Sequence, residues 1–187
     1  MITVLLSGGV DSAVVLHMVV ERYGKDNLLA VSFDYDQPHK KELECAERLC
    51  NRYGVKWKCL SLRDVFAVSP SGLLDPNADL KKFSNAVVKN RNFIFLAAAS
   101  GFSETIFIGS NKDDYSDFQD CRPESFASLA FALQVEIKSP LSQLKKADVL
   151  SLAKKFNLPL DELLTCYRGV SCGECASCLL LSEACDD

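Results

Sequence analysis

Ser7-Gly8-Gly9-Val10-Asp11-Ser12 stands directly after the apolar run Ile2 to Leu6 and before a stretch in which Ala13, Val14, Leu16, Val19 and Val20 form a wide apolar helix face. A buried strand that runs through a glycine pair into a helix brings backbone N–H groups close to an anion at the helix N-terminus. Phosphate is the natural guest, and the Ser7 and Ser12 hydroxyls can add hydrogen bonds. Asp11 is badly placed to touch phosphate unless a magnesium ion lies between them. The string is neither a Walker loop nor Gly-x-Gly-x-x-Gly. Its rival reading is a ligand-free turn in which Asp11 or Ser12 caps the helix.

Working outward, Leu28 to Phe33 reads as a second buried strand and Val55 to Leu60 as an alternating third. Between them, Lys40 to Tyr53 is a helix with Leu43, Ala46, Leu49 and Cys50 on one stripe, ended by Gly54. Arg91 to Ser100 is a further helix, and Thr105 to Gly109 a fourth strand. A helix around Pro123 to Ala132, a strand near Val135 to Ile137 and a helix from Leu144 to Phe156 follow. This alternation predicts an α/β fold, a doubly wound parallel sheet with ligands at the carboxyl ends of its strands. Asp64 to Asn90 has no firm periodicity and reads as a lid or binding loop.

The 187 residues suit one domain spanning 1–187, with 48% hydrophobic and 25% charged residues. Lys plus Arg number 21 and Asp plus Glu 25, a net charge of −4 that gives no electrostatic reason for stable binding to a nucleic-acid backbone. The early arrival of Ser7-Gly8-Gly9 leaves no space for a signal peptide, and no apolar run is long enough to span a bilayer. A cytoplasmic protein is expected.

Nine cysteines are many for such a chain, and clustered cysteines in the cytosol more often bind metal or do chemistry than form disulfides. Cys166, Cys172, Cys175 and Cys178 supply four thiolates over 166–178, and two Cys-x-x-Cys steps can wrap a tetrahedral ion. Zinc is the first choice; redox cysteines, a disulfide pair or an iron–sulfur cluster are the alternatives. A closed four-thiolate site has no open position for water, so it staples the C-terminal segment rather than catalyses. Cys185 reads as a packed or half-exposed thiol beyond the ligands. Cys45, Cys50, Cys59 and Cys121 read as core residues.

The loop at Ser7 resembles the PP-loop signature of adenine nucleotide alpha-hydrolase-like enzymes. With Phe33-Asp34-Tyr35-Asp36-Gln37-Pro38-His39-Lys40, Arg91-Asn92-Phe93, Ile108 to Asp117, Asp120 to Glu124 and the cysteine cluster, the chain resembles the 7-cyano-7-deazaguanine synthase family over nearly its whole length. That resemblance implies a ligase forming C–N bonds. A deazapurine carboxylate is adenylylated by ATP, attacked by ammonia to give an amide, then activated again and dehydrated to a nitrile.

It further implies that Leu6, Ser7, Gly8, Gly9, Val10, Asp11, Ser12, Phe33 and Gln37 bind ATP, with Ser7, Asp11, Ser12 and Arg91 catalytic. Asp114, Tyr115, Ser116, Asp120, Arg122 and Glu124 are expected at the substrate, although the acidic stretch reads equally as a solvated loop. His39 is either a general base or a helix-terminal surface residue, and His17 is structural. ATP, Mg2+ and Zn2+ are the implied cofactors, ammonia and the deazapurine carboxylate the small-molecule partners, with no direct nucleic-acid or membrane partner and a homodimer as the assembly. The chain departs from the family at Asp36, at Pro38 and at Lys89-Asn90, and it is shorter than most members. Two readings keep the same loop: a diverged relative that passes the adenylylated carboxylate to another amine, and a non-catalytic nucleotide-binding module.

Overall fold

The computed structural model describes residues 1–67, 69–75 and 77–186, with the side chains of Cys185 and Asp186 excepted. The expectation placed on Cys185 therefore lies outside the described residues. Five parallel strands, β1 (Ile2–Leu5), β2 (Leu28–Asp34), β3 (Lys56–Ser61), β4 (Thr105–Phe107) and β5 (Glu136–Lys138), form one sheet in the order β3-β2-β1-β4-β5. β1 is central, pairing Ile2 with Leu28 on one side and with Thr105 on the other. The chain reverses direction of travel across the sheet at β1, which opens a crevice between its carboxyl end and that of β4.

Alternation along the strands sends side chains to two cores. Val4, Ala30 and Phe107 face one side, packed by α1 (Val10–Tyr23), α2 (Lys41–Tyr53) and α6 (Lys146–Lys155). Leu5, Val31 and Ile106 face the other, packed by α4 (Arg91–Ser100) and α5 (Pro123–Leu133). The edge strand β3 is half-exposed, carries Lys56 and Lys58, and leaves Cys59 exposed rather than in the core, because an edge strand has one unpaired side. Cys45, Cys50 and Cys121 are buried.

The aperiodic stretch after β3 holds a short helix α3 (Arg63–Phe66) and two 3-10 turns, Gly72–Leu74 and Phe83–Ala86. Leu73, Leu80, Ala86 and Val88 from it are buried in the second core, so much of the segment is packed structure. A last helix, α7 (Ala176–Asp186), lies against α6 and was not expected from the sequence. His17 is structural, hydrogen-bonded to Tyr53 at 2.8 Å and stacked on Phe156. Asp36 has φ +67°, a conformation that glycine and asparagine adopt most readily.

Gly8 is needed for close approach. Its φ is +92°, and a Cβ there would lie 2.0 Å from the carbonyl oxygen of Glu42 in α2. Gly8→Ala is expected to cost about 3 kcal/mol or more through combined strain and overpacking. A urea denaturation curve checks this, and a midpoint equal to that of the unsubstituted protein contradicts the packing role.

Candidate active site

α1 begins at Val10, so the N–H groups of its first turn have no intrahelical partner and stand at the carboxyl end of β1. The loop before it is tied by its own hydroxyls. Ser12 Oγ donates to the Gly9 carbonyl at 3.0 Å and accepts from the Ser7 backbone N–H at 3.2 Å. Ser7 Oγ lies 3.1 Å from Ser12 Oγ and accepts from the Gly9 N–H at 3.3 Å. Gly109, two residues past β4, lets the chain pass against the loop, since a Cβ there would lie 2.9 Å from the Ser12 backbone nitrogen.

A cavity opens above this loop. Of the expected nucleotide residues, Leu6, Ser7, Gly9, Asp11, Ser12 and Phe33 line it, and so does Arg91. Gly8 serves the packing of α2, and Val10, 2% exposed, belongs to the first core. Gln37 is fully buried. Its Oε1 accepts from the Tyr35 N–H at 2.9 Å, while its Nε2 donates to the Phe33 carbonyl at 3.1 Å and to Glu42 Oε1 at 2.9 Å. Both ends of the amide are occupied by its own turn and helix, which takes Gln37 off the cavity wall.

The expected substrate residues divide in the same way. Asp114 lines the cavity. Tyr115 donates its hydroxyl to the Ser142 carbonyl at 2.5 Å, Ser116 donates to Asp117 at 2.8 Å, and Arg122 Nε donates to the Tyr115 carbonyl at 2.9 Å. Glu124 is exposed in the first turn of α5. Asp120 accepts from the Asn92 N–H at 2.8 Å and so satisfies the start of α4. The loop after β4 is held by these contacts, and Asp114 is its one expected residue on the wall.

The structure adds residues that sequence reasoning passed over. Lys146 is 4% exposed and its Nζ donates to Asp11 Oδ2 at 2.5 Å. Asn111 Nδ2 donates to the other Asp11 oxygen at 3.1 Å. Both carboxylate oxygens of Asp11 are therefore engaged by protein donors, and a cation unforeseen in the sequence stands beside the loop. Lys145-Lys146 looks like a surface pair. The available signal was electrostatic: two lysines opening a helix oppose its macrodipole and need a reason to be there. Burial, then the neighbouring Asp11, pushes Asp114 up to about 6.

Across the cavity, Arg91 Nη1 donates to the Tyr35 hydroxyl at 3.2 Å, and the guanidinium lies 5.8 Å from the Tyr35 ring centroid. Its Nε is buried without a hydrogen-bond partner, a donor suited to an incoming anion. Phe33 and Phe95 stack face to face, 4.2 Å between centroids, and give an apolar shelf for a planar ring. His39 and Glu42, at the start of α2, complete the wall below Arg91 together with Tyr167.

The cysteine segment closes the far side. The sulfurs of Cys166, Cys172, Cys175 and Cys178 all lie within 4.8 Å of one another. Cys166 and Cys172 are 3.5 Å apart, Cys172 and Cys178 4.0 Å. A tetrahedral ion bound at about 2.3 Å sets S–S edges of about 3.8 Å, so the set fits a single ion. Tyr167, next to Cys166, and Ser177 and Leu180 in α7 reach the cavity, so the cysteine segment is also part of its wall.

A β1 loop without a Walker lysine, opening a helix at the switch point of a parallel sheet, with two cations and an aromatic shelf around it, defines a PP-loop type of nucleotide-using α/β protein. Residues 1–187 match the family model described as "Queuosine biosynthesis protein QueC", and the chain belongs to that family. It is 39% identical to the 7-cyano-7-deazaguanine synthase of Picrophilus torridus, over 94% of this chain and 83% of that protein. It is 38% identical to that of Thermoplasma acidophilum, over 95% and 84%, and 34% identical to one from Clostridium botulinum, over 95% and 90%.

Among solved structures, the U34-tRNA thiolase NcsA of Methanococcus maripaludis, with its [4Fe-4S] cluster, aligns over 99% of this chain and 64% of its own at TM-score 0.60 and 21% identity. The NH3-dependent NAD synthetase of Campylobacter jejuni aligns over 86% and 66%, with TM-score 0.56 and 21% identity. At these identities the likeness is one of fold. Among the described residues, no helix is long and apolar enough to cross a membrane.

Proposed function

We propose that this chain is an ATP-dependent ligase that converts 7-carboxy-7-deazaguanine and ammonia into 7-cyano-7-deazaguanine, in queuosine or related deazapurine synthesis. The observation that carries this reading is the cavity itself: Lys146, paired with Asp11 at the N-terminus of α1, and Arg91 across from it line one cavity in a chain that belongs to the family throughout its length. A carboxylate is a poor electrophile at neutral pH, and adenylylation turns one of its oxygens into a good leaving group.

In this reading the α1 N-terminus, Lys146 and Arg91 bind the phosphates and stabilise charge as the substrate oxygen attacks the α-phosphorus and pyrophosphate leaves. Ser7 and Ser12 hold the loop in shape, and the Phe33–Phe95 stack supports a planar base. Ammonia attacks the acyl carbon and AMP leaves. The amide oxygen is then adenylylated by a second ATP, and loss of AMP with two N–H protons gives the nitrile. The protein's task is to position groups and meet developing charge.

Magnesium suits this scheme as part of the incoming ATP complex. Lys146 and Asn111 already engage Asp11, which leaves the phosphates and water as the principal ligands. Zinc suits the cysteine set because four thiolates this close match one tetrahedral ion, whereas a cubane interposes four irons and spreads its cysteines. The segment 166–178 then acts as a staple within one catalytic domain. Ammonia as co-substrate and the homodimer follow the family resemblance, and the net charge of −4 gives no electrostatic reason for a direct nucleic-acid partner. Cytoplasmic residence suits a protein in which none of the eight cysteines with described side chains is paired in a disulfide.

The test is a product assay with ATP, Mg2+, ammonium and 7-carboxy-7-deazaguanine, read by mass spectrometry. The nitrile is expected, with two AMP per product. AMP release without amide or nitrile would sink the substrate assignment and leave adenylylation standing.

A further inference from the structure

His39 and Glu42 have no part in the handling of ATP, yet both are held on the cavity wall. His39 is 5% exposed, its Nε2 lies 3.5 Å from Glu42 Oε1, and its Nδ1 is buried with no hydrogen-bond partner. Glu42 Oε1 is fixed by Gln37 Nε2 at 2.9 Å, and Gln37 is itself clamped by the backbone of Phe33 and Tyr35. Glu42 Oε1 is secured by a fully buried amide, Oε2 takes no hydrogen bond from the described residues, and with the buried His39 imidazole 3.5 Å from Oε1 the pair is arranged for a small cationic guest with several N–H donors.

We propose that Glu42 and His39 form the ammonium site of the reaction and take up the protons that nitrogen must lose. This rests on the synthase reading above. One ammonium proton passes to the Glu42 carboxylate, and the freed lone pair forms the C–N bond to the adenylylated acyl carbon. The C–O bond to AMP breaks with its electron pair, and the second proton passes to the His39 imidazole. Both protons return to water. In the second half the same pair removes the two amide N–H protons as the C–O bond to the second AMP breaks and the nitrile forms.

The charged and titratable groups facing the pair are Arg91 from α4 and Tyr35 and Tyr167 from the flanking loops. Burial pushes Glu42 up to about 7, softened by Gln37 and Arg91, while burial and then Arg91 hold His39 down at about 4. A base that titrates near the working pH has the best balance of free acceptor and driving force.

Glu42→Gln keeps the size and the bond to Gln37, and so isolates the proton. Carboxylate-dependent exchange between ATP and labelled pyrophosphate is expected within about threefold of the unsubstituted enzyme, while amide formation from ammonium at pH 7 falls about 100-fold. The pH profile should change shape. The unsubstituted enzyme levels off above about 7, the value at which Glu42 ionises. The variant climbs about tenfold per pH unit with the concentration of free ammonia.

Hydroxylamine is uncharged at neutral pH and needs no base, so the variant should form hydroxamate at nearly the unsubstituted rate. An equal loss with hydroxylamine, or an unchanged rate with ammonium, overturns the proposal in favour of a purely structural pair. Absence of exchange in the unsubstituted enzyme overturns the synthase reading and the ammonium site with it. If the Glu42→Gln protein does not fold, Glu42→Asp retains the charge one methylene short and should keep the profile at a reduced rate; a profile that tracks free ammonia overturns the proposal.

Discussion

Replacing Lys146 by methionine is expected to slow pyrophosphate release by about 10²–10³-fold and to destabilise the protein by about 3–5 kcal/mol. The ammonium is 4% exposed and paired with Asp11. Its removal leaves Asp11 without a counter-charge in a cavity that also holds Asp114, whose carboxyl the Asp11 charge already pushes upward and the Lys146 charge pulls down. The rate falls for a separate reason: half of the positive charge flanking the phosphate site is gone. The double variant Asp11→Asn with Lys146→Met separates the two effects. It should recover most of the stability, because no unpaired charge remains, and none of the rate. Urea denaturation and a pyrophosphate-release assay read the two quantities. Undiminished turnover in Lys146→Met would remove the lysine from the nucleotide site.

Cys175→Ser should have a comparable effect on the fold. Cys175 is 1% exposed and contributes one of four sulfurs gathered within 4.8 Å. Binding of a structural zinc ion is worth about 10–16 kcal/mol in small zinc modules and counts as folding free energy. Loss of even about 3–5 kcal/mol of that lowers Tm by about 6–20 °C in a chain of this size. Activity should fall too, because Tyr167, Ser177 and Leu180 reach the cavity from the cysteine segment. Incubation of the unsubstituted protein with a strong chelator should reproduce both losses. Cys59→Ser, on the exposed edge strand, should stay within about 0.5 kcal/mol of the unsubstituted protein. Elemental analysis and a melting curve suffice, and an unchanged Tm in a metal-free Cys175→Ser protein would contradict the staple.

The regular elements were legible because each carries its own period. β1, α1, β2 and α2 fall within a few residues of their expected bounds, since apolar alternation and the 3.6-residue stripe are local properties. α6 starts at Lys146, two residues past the expected Leu144. α7 escaped notice because its first turn contains Cys178, read as a ligand, and its stripe is short. The stretch from Asp64 to Asn90 looked like a lid for want of periodicity. It is too short in each piece to show a period, and Leu73 and Leu80 nevertheless anchor it in the core.

The candidate site was legible only where residues meet neighbours close in the chain. The β1 loop with the helix behind it, and four cysteines within thirteen positions, are short-range constellations, and glycine conformation and thiolate chemistry are enough to read them. Other functional assignments depended on partners that spacing does not reveal. Lys146 reaches Asp11 across 135 residues, Asn111 reaches it across 100, and Arg91 reaches Tyr35 across 56. Gln37, expected at the nucleotide, is held by its own turn, whereas Lys146, which had no expected role, is buried and paired with Asp11. Local periodicity sets which elements form. Only the order of strands across the sheet decides which ends converge, and with them which charges are paired, buried and left facing a substrate.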